Sequence, residues 1–310
     1  MANIKELSKY PERLTGGHRL CSGCGASIAV RQVLLGTKDP IVVAAATGCL
    51  EVATTIYPYT AWAVPFIHNA FENVAATISG TETAYRALKK KGKIKKEIKF
   101  VAFGGDGGTY DIGLQSLSGA LERGHKFVYV CYDNEAYMNT GVQRSSATPY
   151  GASTTTAPAG KESFGKPQHR KDLTAIAAAH NIPYVAQATI SNWNDLITKS
   201  EKAFKADGPA FLNILAMCHR GWRYKEADTI KVAKLSVDTG FWPLIEIENG
   251  VLRFTYKPKE RKPVVEFLKV QGRFKHLFKE ENKHVLENIQ KEVDLNFKRL
   301  ENFAEAGCKI

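Results

Sequence analysis

The chain has 310 residues, 44% of them apolar and 24% charged, and carries a formal charge of +12. That suffices for a proper core in one large α/β domain or two small ones; no apolar run is long enough for a membrane span and no basic-then-apolar leader is present, so a cytoplasmic protein without a membrane partner is expected. Lys and Arg are spread along the chain with local clusters at 89–99 and 253–283 and no nucleic-acid motif, so a solvated basic surface or an acidic protein partner fits the charge better than nucleic acid does.

Residues 1–20 read as an irregular arm broken by Pro11 and Gly16-Gly17. Cys21-Ser-Gly-Cys24-Gly follows. Six cysteines in a cytosolic chain do not suggest a disulfide framework. A lone C-x-x-C is a redox dithiol, half of a zinc site, or part of an iron–sulfur site. Two other cysteines follow strand-like runs: Cys49 after Ile41-Val-Val-Ala-Ala-Ala, and Cys218 after the run at 210–216. Between them, residues 50–92 hold Tyr57-Pro-Tyr and Trp62, then a helix expected over 70–91. If that helix starts early, His68 and Glu72 are one turn apart, as structural or interface polar residues. The lysines at 89–91, 93, 95 and 96 suit a solvated helix C-terminus.

Residues 100–140 organise the rest. Phe100-Val-Ala-Phe-Gly-Gly-Asp106-Gly-Gly and Phe127-Val-Tyr-Val-Cys-Tyr-Asp133-Asn134 are apolar β-rich runs closing on acidic or amide residues, with one helical pattern between them. This predicts a βαβ unit with both strand ends on one edge of a parallel sheet, the edge where such sheets hold ligands. Glycines 104, 105, 107 and 108 allow close backbone approach, and the next helix points its N-terminus at an anion there. Asp106, the Asn134 amide oxygen and nearby carbonyls are hard donors that suit Mg²⁺ against a diphosphate. The alternative is a Gly-rich turn without a ligand. Cys49 and Cys218 are expected on the same edge, so all four cysteines could meet beside such a site.

Residues 139–171 are rich in Thr, Ser, Ala and Gly with little periodicity, and a loop this long is usually functional. It should cover the diphosphate, with Asn139 and Thr140 nearest; Gln143 and Arg144 face either a partner subunit or solvent. Then come a helix at 172–180 capped by Asp172, a strand at 184–188, a helix at 192–206, the strand before Cys218, and a helix at 225–239. Asn249-Gly250 between two apolar runs marks a hairpin. Residues 258–310 read as helical and charged, suited to wrapping a partner. Cys131 is buried packing; Cys308 has no evident partner.

Gly105-Asp106-Gly107 followed 28 positions later by Asn134 resembles the thiamin diphosphate signature. Together with Cys21-x-x-Cys24-Gly, Ala46-Thr-Gly48-Cys49, Ile67-His-Asn-Ala-Phe-Glu72-Asn, Asn139-Thr140-Gly-Val-Gln-Arg-Ser-Ser-Ala-Thr-Pro and Cys218-x-x-Gly-Trp222, it resembles the β subunit of the 2-oxoacid:ferredoxin oxidoreductases, most closely the pyruvate type. The match spans residues 15–225. It implies an α/β thiamin-diphosphate-binding fold, a mostly parallel sheet with helices on both faces, over 1–240; the hairpin and the helical, charged stretch mark 241–310 as a C-terminal extension. It implies Mg²⁺ on Asp106, Asn134 and the Ala136 carbonyl, and thiamin diphosphate against Gly48, Gly105, Gly107, Asn139 and Thr140. It also implies a [4Fe–4S] cluster on Cys21, Cys24, Cys49 and Cys218. Alpha, gamma and delta type subunits, ferredoxin, a 2-oxoacid and coenzyme A complete the expected partners, with no residue of this chain assigned as general acid or base.

Two departures stand out. Asp133 occupies a place where many members have Asn. His219-Arg220 follows the last cysteine where the pyruvate type usually has small residues or Pro, and an added cation would suit a more anionic substrate such as oxalate. The competing readings are a non-redox thiamin enzyme with zinc on the cysteines, and a basic binding module for RNA.

Overall fold

The structure is a computed structural model that describes residues 3–307. In chain order the elements are α1 (Ile4–Leu7), α2 (Gly25–Leu34), β1 (Ile41–Ala46), α3 (Cys49–Thr54), β2 (Phe66–Asn69), α4 (Val74–Lys90), β3 (Lys99–Gly105), a π-helical turn (Gly107–Ile112), α5 (Leu114–Glu122), β4 (Val128–Asp133), α6 (Leu173–Ala178), β5 (Tyr184–Thr189), α7 (Trp193–Lys205), β6 (Ala210–Leu215), α8 (His219–Trp222), α9 (Thr229–Asp238), β7 (Leu244–Glu248), β8 (Val251–Tyr256), α10 (Val265–Leu268) and α11 (Lys283–Ala306).

The strands form one eight-stranded sheet in the order β2-β1-β3-β4-β6-β5-β7-β8. The first six are parallel; β7 and β8 continue the sheet antiparallel. Strands β4, β5 and β6 are buried on both faces, which explains their unbroken apolar runs. Helices cover both faces. One core gathers Val30, Val33, Leu196 and Phe204 against Val43, Val101 and Leu212; the other gathers Ile78, Leu117 and Leu173 against Ala44, Ala102 and Phe211. No helix among the described residues is long and apolar enough to cross a membrane.

The expected βαβ core, the hairpin and the helices at 172–180 and 192–206 form, with ends moved by a few residues. Asp172 caps α6 by accepting from the Ala175 N–H at 3.0 Å. Asn249 and Gly250 both have positive φ, as a two-residue hairpin turn of this hand requires. Three expectations need correction. His68 lies on β2 and Glu72 in the following turn, so they do not share a helix; α4 begins only at Val74. The helix after Gly108 opens as a π-turn, the kind of distortion that gathers at functional sites. The helix expected at 225–239 starts at Thr229, after a short 3₁₀ turn. Cys308 lies outside the described residues.

Candidate active site

Strands β1, β3, β4 and β6 are consecutive neighbours and parallel. Their carboxyl ends therefore deliver Cys49, Asp106, Asn134 and Cys218 to one edge. A cleft opens there. Gly48, Cys49, Gly105 and Gly107 line one part of it; Asn134, Ala136, Asn139 and Thr140 line another. Asp106 lies buried beneath, fully shielded from solvent.

The oxygens of this cleft are arranged around a point. One terminal atom of the Asn134 amide lies 3.0 Å from Asp106 Oδ1 and 2.9 Å from the Ala136 carbonyl oxygen. With nitrogen at that place the amide donates to both. With oxygen there, three oxygens converge, and a cation among them relieves their repulsion. Asp106 is further held by the Asn134 N–H on Oδ1 at 3.2 Å and the Ser145 hydroxyl on Oδ2 at 2.5 Å. Burial and the neighbouring Asp133 push its carboxyl well above the usual carboxylate range, a cost that a divalent cation removes.

A second observation points to a ligand. The Tyr132 hydroxyl is buried with the Leu50 N–H beside it, and its own proton reaches no acceptor. It faces Gly48, where a Cβ would stand 2.7 Å from its oxygen. A buried donor left unpaired costs about 1–3 kcal/mol, so the cleft is built for an occupant bearing an acceptor. Thiamin diphosphate and Mg²⁺ both fit these residues.

The thiols lie along the same edge. The Cys24–Gly25 motif has a packing reason: the Gly25 N–H donates to the Met217 carbonyl at 3.0 Å, and a Cβ on Gly25 would stand 2.6 Å from the Met217 nitrogen. Glycine thus brings Cys24 against the residue preceding Cys218. Cys218 caps α8, its sulfur accepting from the Gly221 N–H at 3.4 Å. Burial pushes the Cys49 thiol up to about 12, Asn139 opposes this, and the charges of Cys218, Cys24 and Cys21 add to it. Burial likewise raises Cys24 and Cys218. Cys21 is exposed, and Cys131 is buried within β4. Among the described residues, no three His, Cys, Asp or Glu side chains stand as ligands to one ion.

Sequence reasoning missed the ionic layer beneath the turn at residues 133–136. Asp133 pairs with Arg170, and Glu135 is held between Arg170, at 2.6 Å, and Arg273. Arg170 also donates to the Tyr110 hydroxyl at 2.8 Å and lies over the Trp242 ring. The departure at Asp133 thus has a local reason: its carboxylate faces a guanidinium rather than the cleft. Arg170 closes the aperiodic 139–171 loop and Arg273 comes from the C-terminal stretch, so neither carried a local signal; only the acids at 133 and 135 hinted at buried cations.

The fold and cleft define a thiamin-diphosphate-binding module. The family model "Thiamine pyrophosphate enzyme, C-terminal TPP binding domain" matches residues 46–214, from the end of β1 into β6. The chain is 55% identical to the pyruvate synthase subunit PorB of Thermotoga maritima, over 96% of this chain and 95% of that one. It is 54% identical to PorB of Methanocaldococcus jannaschii, over 93% and 96%, and 46% identical to the ketoisovalerate oxidoreductase subunit VorB of Pyrococcus furiosus, over 98% and 97%. A 2-oxoglutarate:ferredoxin oxidoreductase structure from Magnetococcus marinus shares the fold with TM-score 0.56 and 19% identity, over 74% of this chain and 80% of that one. The chain belongs to the family of thiamin-diphosphate-binding β subunits of 2-oxoacid:ferredoxin oxidoreductases. Chains of this family are subunits of larger complexes.

Proposed function

We propose that this chain is the thiamin-bearing β subunit of a cytoplasmic pyruvate:ferredoxin oxidoreductase. The complex would convert pyruvate and coenzyme A to acetyl-CoA and CO₂, and pass the electron pair, one electron at a time, through a [4Fe–4S] cluster towards ferredoxin. The observation that carries the substrate is the identity to pyruvate synthase subunits over almost the whole chain. Bound thiamin diphosphate supplies a carbon nucleophile and an electron sink.

The residues of this chain hold, orient and shield. Asp106, Asn134 and the Ala136 carbonyl offer oxygens to Mg²⁺. Gly105 and Gly107 keep the backbone near the diphosphate, Gly48 leaves room beside Tyr132, and Asn139 and Thr140 close over it. Thr140 is braced for this by its hydroxyl bond to Gln143 at 2.5 Å. Cys21, Cys24, Cys49 and Cys218 would hold the cluster, which would accept electrons singly. The Gly25 N–H bond to the Met217 carbonyl at 3.0 Å, which sets Cys24 beside the Cys218 turn, supports this grouping. Residues 1–240 carry both cofactors. Residues 241–310 meet partner subunits, supported by the exposed Leu295 and Phe303 of α11.

A second reading, that the substrate is 2-oxoisovalerate, is favoured by the similarity to VorB. The assembled complex, assayed by ferredoxin reduction with pyruvate, 2-oxoisovalerate and oxalate, decides. The proposal expects the highest kcat/KM with pyruvate; a higher value with either of the others overturns it.

A further inference from the structure

Two of the three oxygens that face the cation site, the Asn134 side chain and the Ala136 carbonyl, flank Glu135. Glu135 has φ +66°, the left-handed region. That turn folds residue 136 back so that its carbonyl comes within 2.9 Å of the Asn134 amide. For a residue other than glycine such backbone costs roughly 1–3 kcal/mol and persists only where the surroundings impose it.

The surroundings here are specific. The Glu135 N–H donates to Asp133 Oδ1 at 3.0 Å, and its carbonyl accepts the Thr148 hydroxyl at 2.6 Å. Its carboxylate, fully buried, is gripped by Arg170 and Arg273. The Arg273 guanidinium is fixed in turn. It donates to Gln271 Oε1 at 2.9 Å and lies over the Trp222 ring at 3.9 Å. The Trp222 indole N–H closes the circuit by donating to the Asn134 carbonyl at 2.8 Å. Trp222 ends the short helix that Cys218 caps.

Resting on the metal reading above, we propose that Arg273 is a positioning residue for the cation site. It acts through Glu135, whose left-handed backbone it holds, and through Trp222, which it presses towards Asn134. The C-terminal stretch thus reaches into the cofactor site from behind, and Trp222 ties the Cys218 turn to the metal loop. Arg273 touches neither cofactor nor substrate. Its contribution lies in keeping three oxygens converged before a cation arrives, so that binding does not have to impose the turn. Arg170 alone does not suffice, because it is shared with Asp133.

The test separates positioning from general stability. In the assembled complex, the Mg²⁺ concentration giving half-maximal thiamin diphosphate binding is measured for wild type, R273M, E135G and E135G/R273M, with thermal midpoint and iron content alongside. R273M should raise that concentration about 10–100-fold, the usual effect of losing a partner behind a ligand, with iron content retained. Glycine adopts positive φ freely and leaves no buried carboxylate unpaired. E135G/R273M should therefore recover to within about threefold of E135G alone, whatever its thermal midpoint. Unchanged Mg²⁺ dependence in R273M overturns the proposal, as does a double variant no better than R273M. Should R273M fail to assemble, R273K, which keeps the charge but loses the fork, is read by the same criteria. Thiamin diphosphate binding without Mg²⁺ dependence in the wild type would instead defeat the metal reading itself.

Discussion

The Ser145 hydroxyl donates to Asp106 Oδ2 at 2.5 Å across 39 residues of chain. It comes from the long loop after β4 and fixes the carboxylate oxygen not facing Asn134. Ser145→Ala should leave the fold intact and raise the Mg²⁺ concentration needed for thiamin diphosphate binding by about tenfold. Titration of cofactor binding against Mg²⁺ measures this. Asp106→Ala, which removes the proposed ligand itself, should abolish metal-dependent binding.

Tyr132→Phe removes a hydroxyl whose proton has no acceptor in the protein alone. Without cofactor the variant should be as stable as the wild type or more so, because a buried unpaired donor is gone. With cofactor the order should reverse, the dissociation constant of thiamin diphosphate rising about threefold to tenfold. Calorimetric titration and thermal unfolding of the same preparations read both signs.

If Cys218 ligates the proposed cluster, Cys218→Ala should show lower iron content and a bleached visible band. Cys131→Ala, in the middle of β4 and away from the cleft, should keep full iron while losing some stability to the cavity it leaves. Anaerobic iron analysis of the two variants distinguishes them; equal iron in both would remove Cys218 as a ligand.

Lys166 is fully buried and donates to the Thr148 and Ser146 carbonyls. Burial, with Arg144 and Arg170 nearby, lowers its ammonium to about 8 from an ordinary 10.5. Between these values the unfolded chain binds the proton that the folded chain has lost, so this group's contribution to stability rises with pH from about 8 to 10.5. Below about 8 its burial penalty applies in full. Wild type should therefore gain on Lys166→Met by on the order of 1–3 kcal/mol between pH 7.5 and 10.5. Denaturant unfolding across that range measures the difference.

The sequence made the shared strand edge legible because each of the four residues proposed for the site follows a strand. A short, mostly apolar strand-like run announces its own end, and Cys49, Asp106, Asn134 and Cys218 stand just after four such ends. Parallel pairing of neighbouring strands then converges them without further information. Arg170, Arg273 and Ser145 were not legible. They reach the site from an aperiodic loop and from a segment more than a hundred residues downstream of Asn134, and their pairing depends on tertiary packing rather than local pattern. His68 and Glu72 were misplaced for a related reason. The four-residue strand β2 is too short for its period to be distinguished from the start of α4.

On the proposed reading, this chain holds an iron–sulfur cluster beside a magnesium-bound thiamin diphosphate. Anomalous diffraction at the iron edge, from crystals of the anaerobically assembled complex soaked with thiamin diphosphate and Mg²⁺, tests it most directly. Iron should appear among the sulfurs of Cys21, Cys24, Cys49 and Cys218, and diphosphate density against Asp106 and Asn134. Zinc in place of iron, or iron with no contact to these sulfurs, would contradict it.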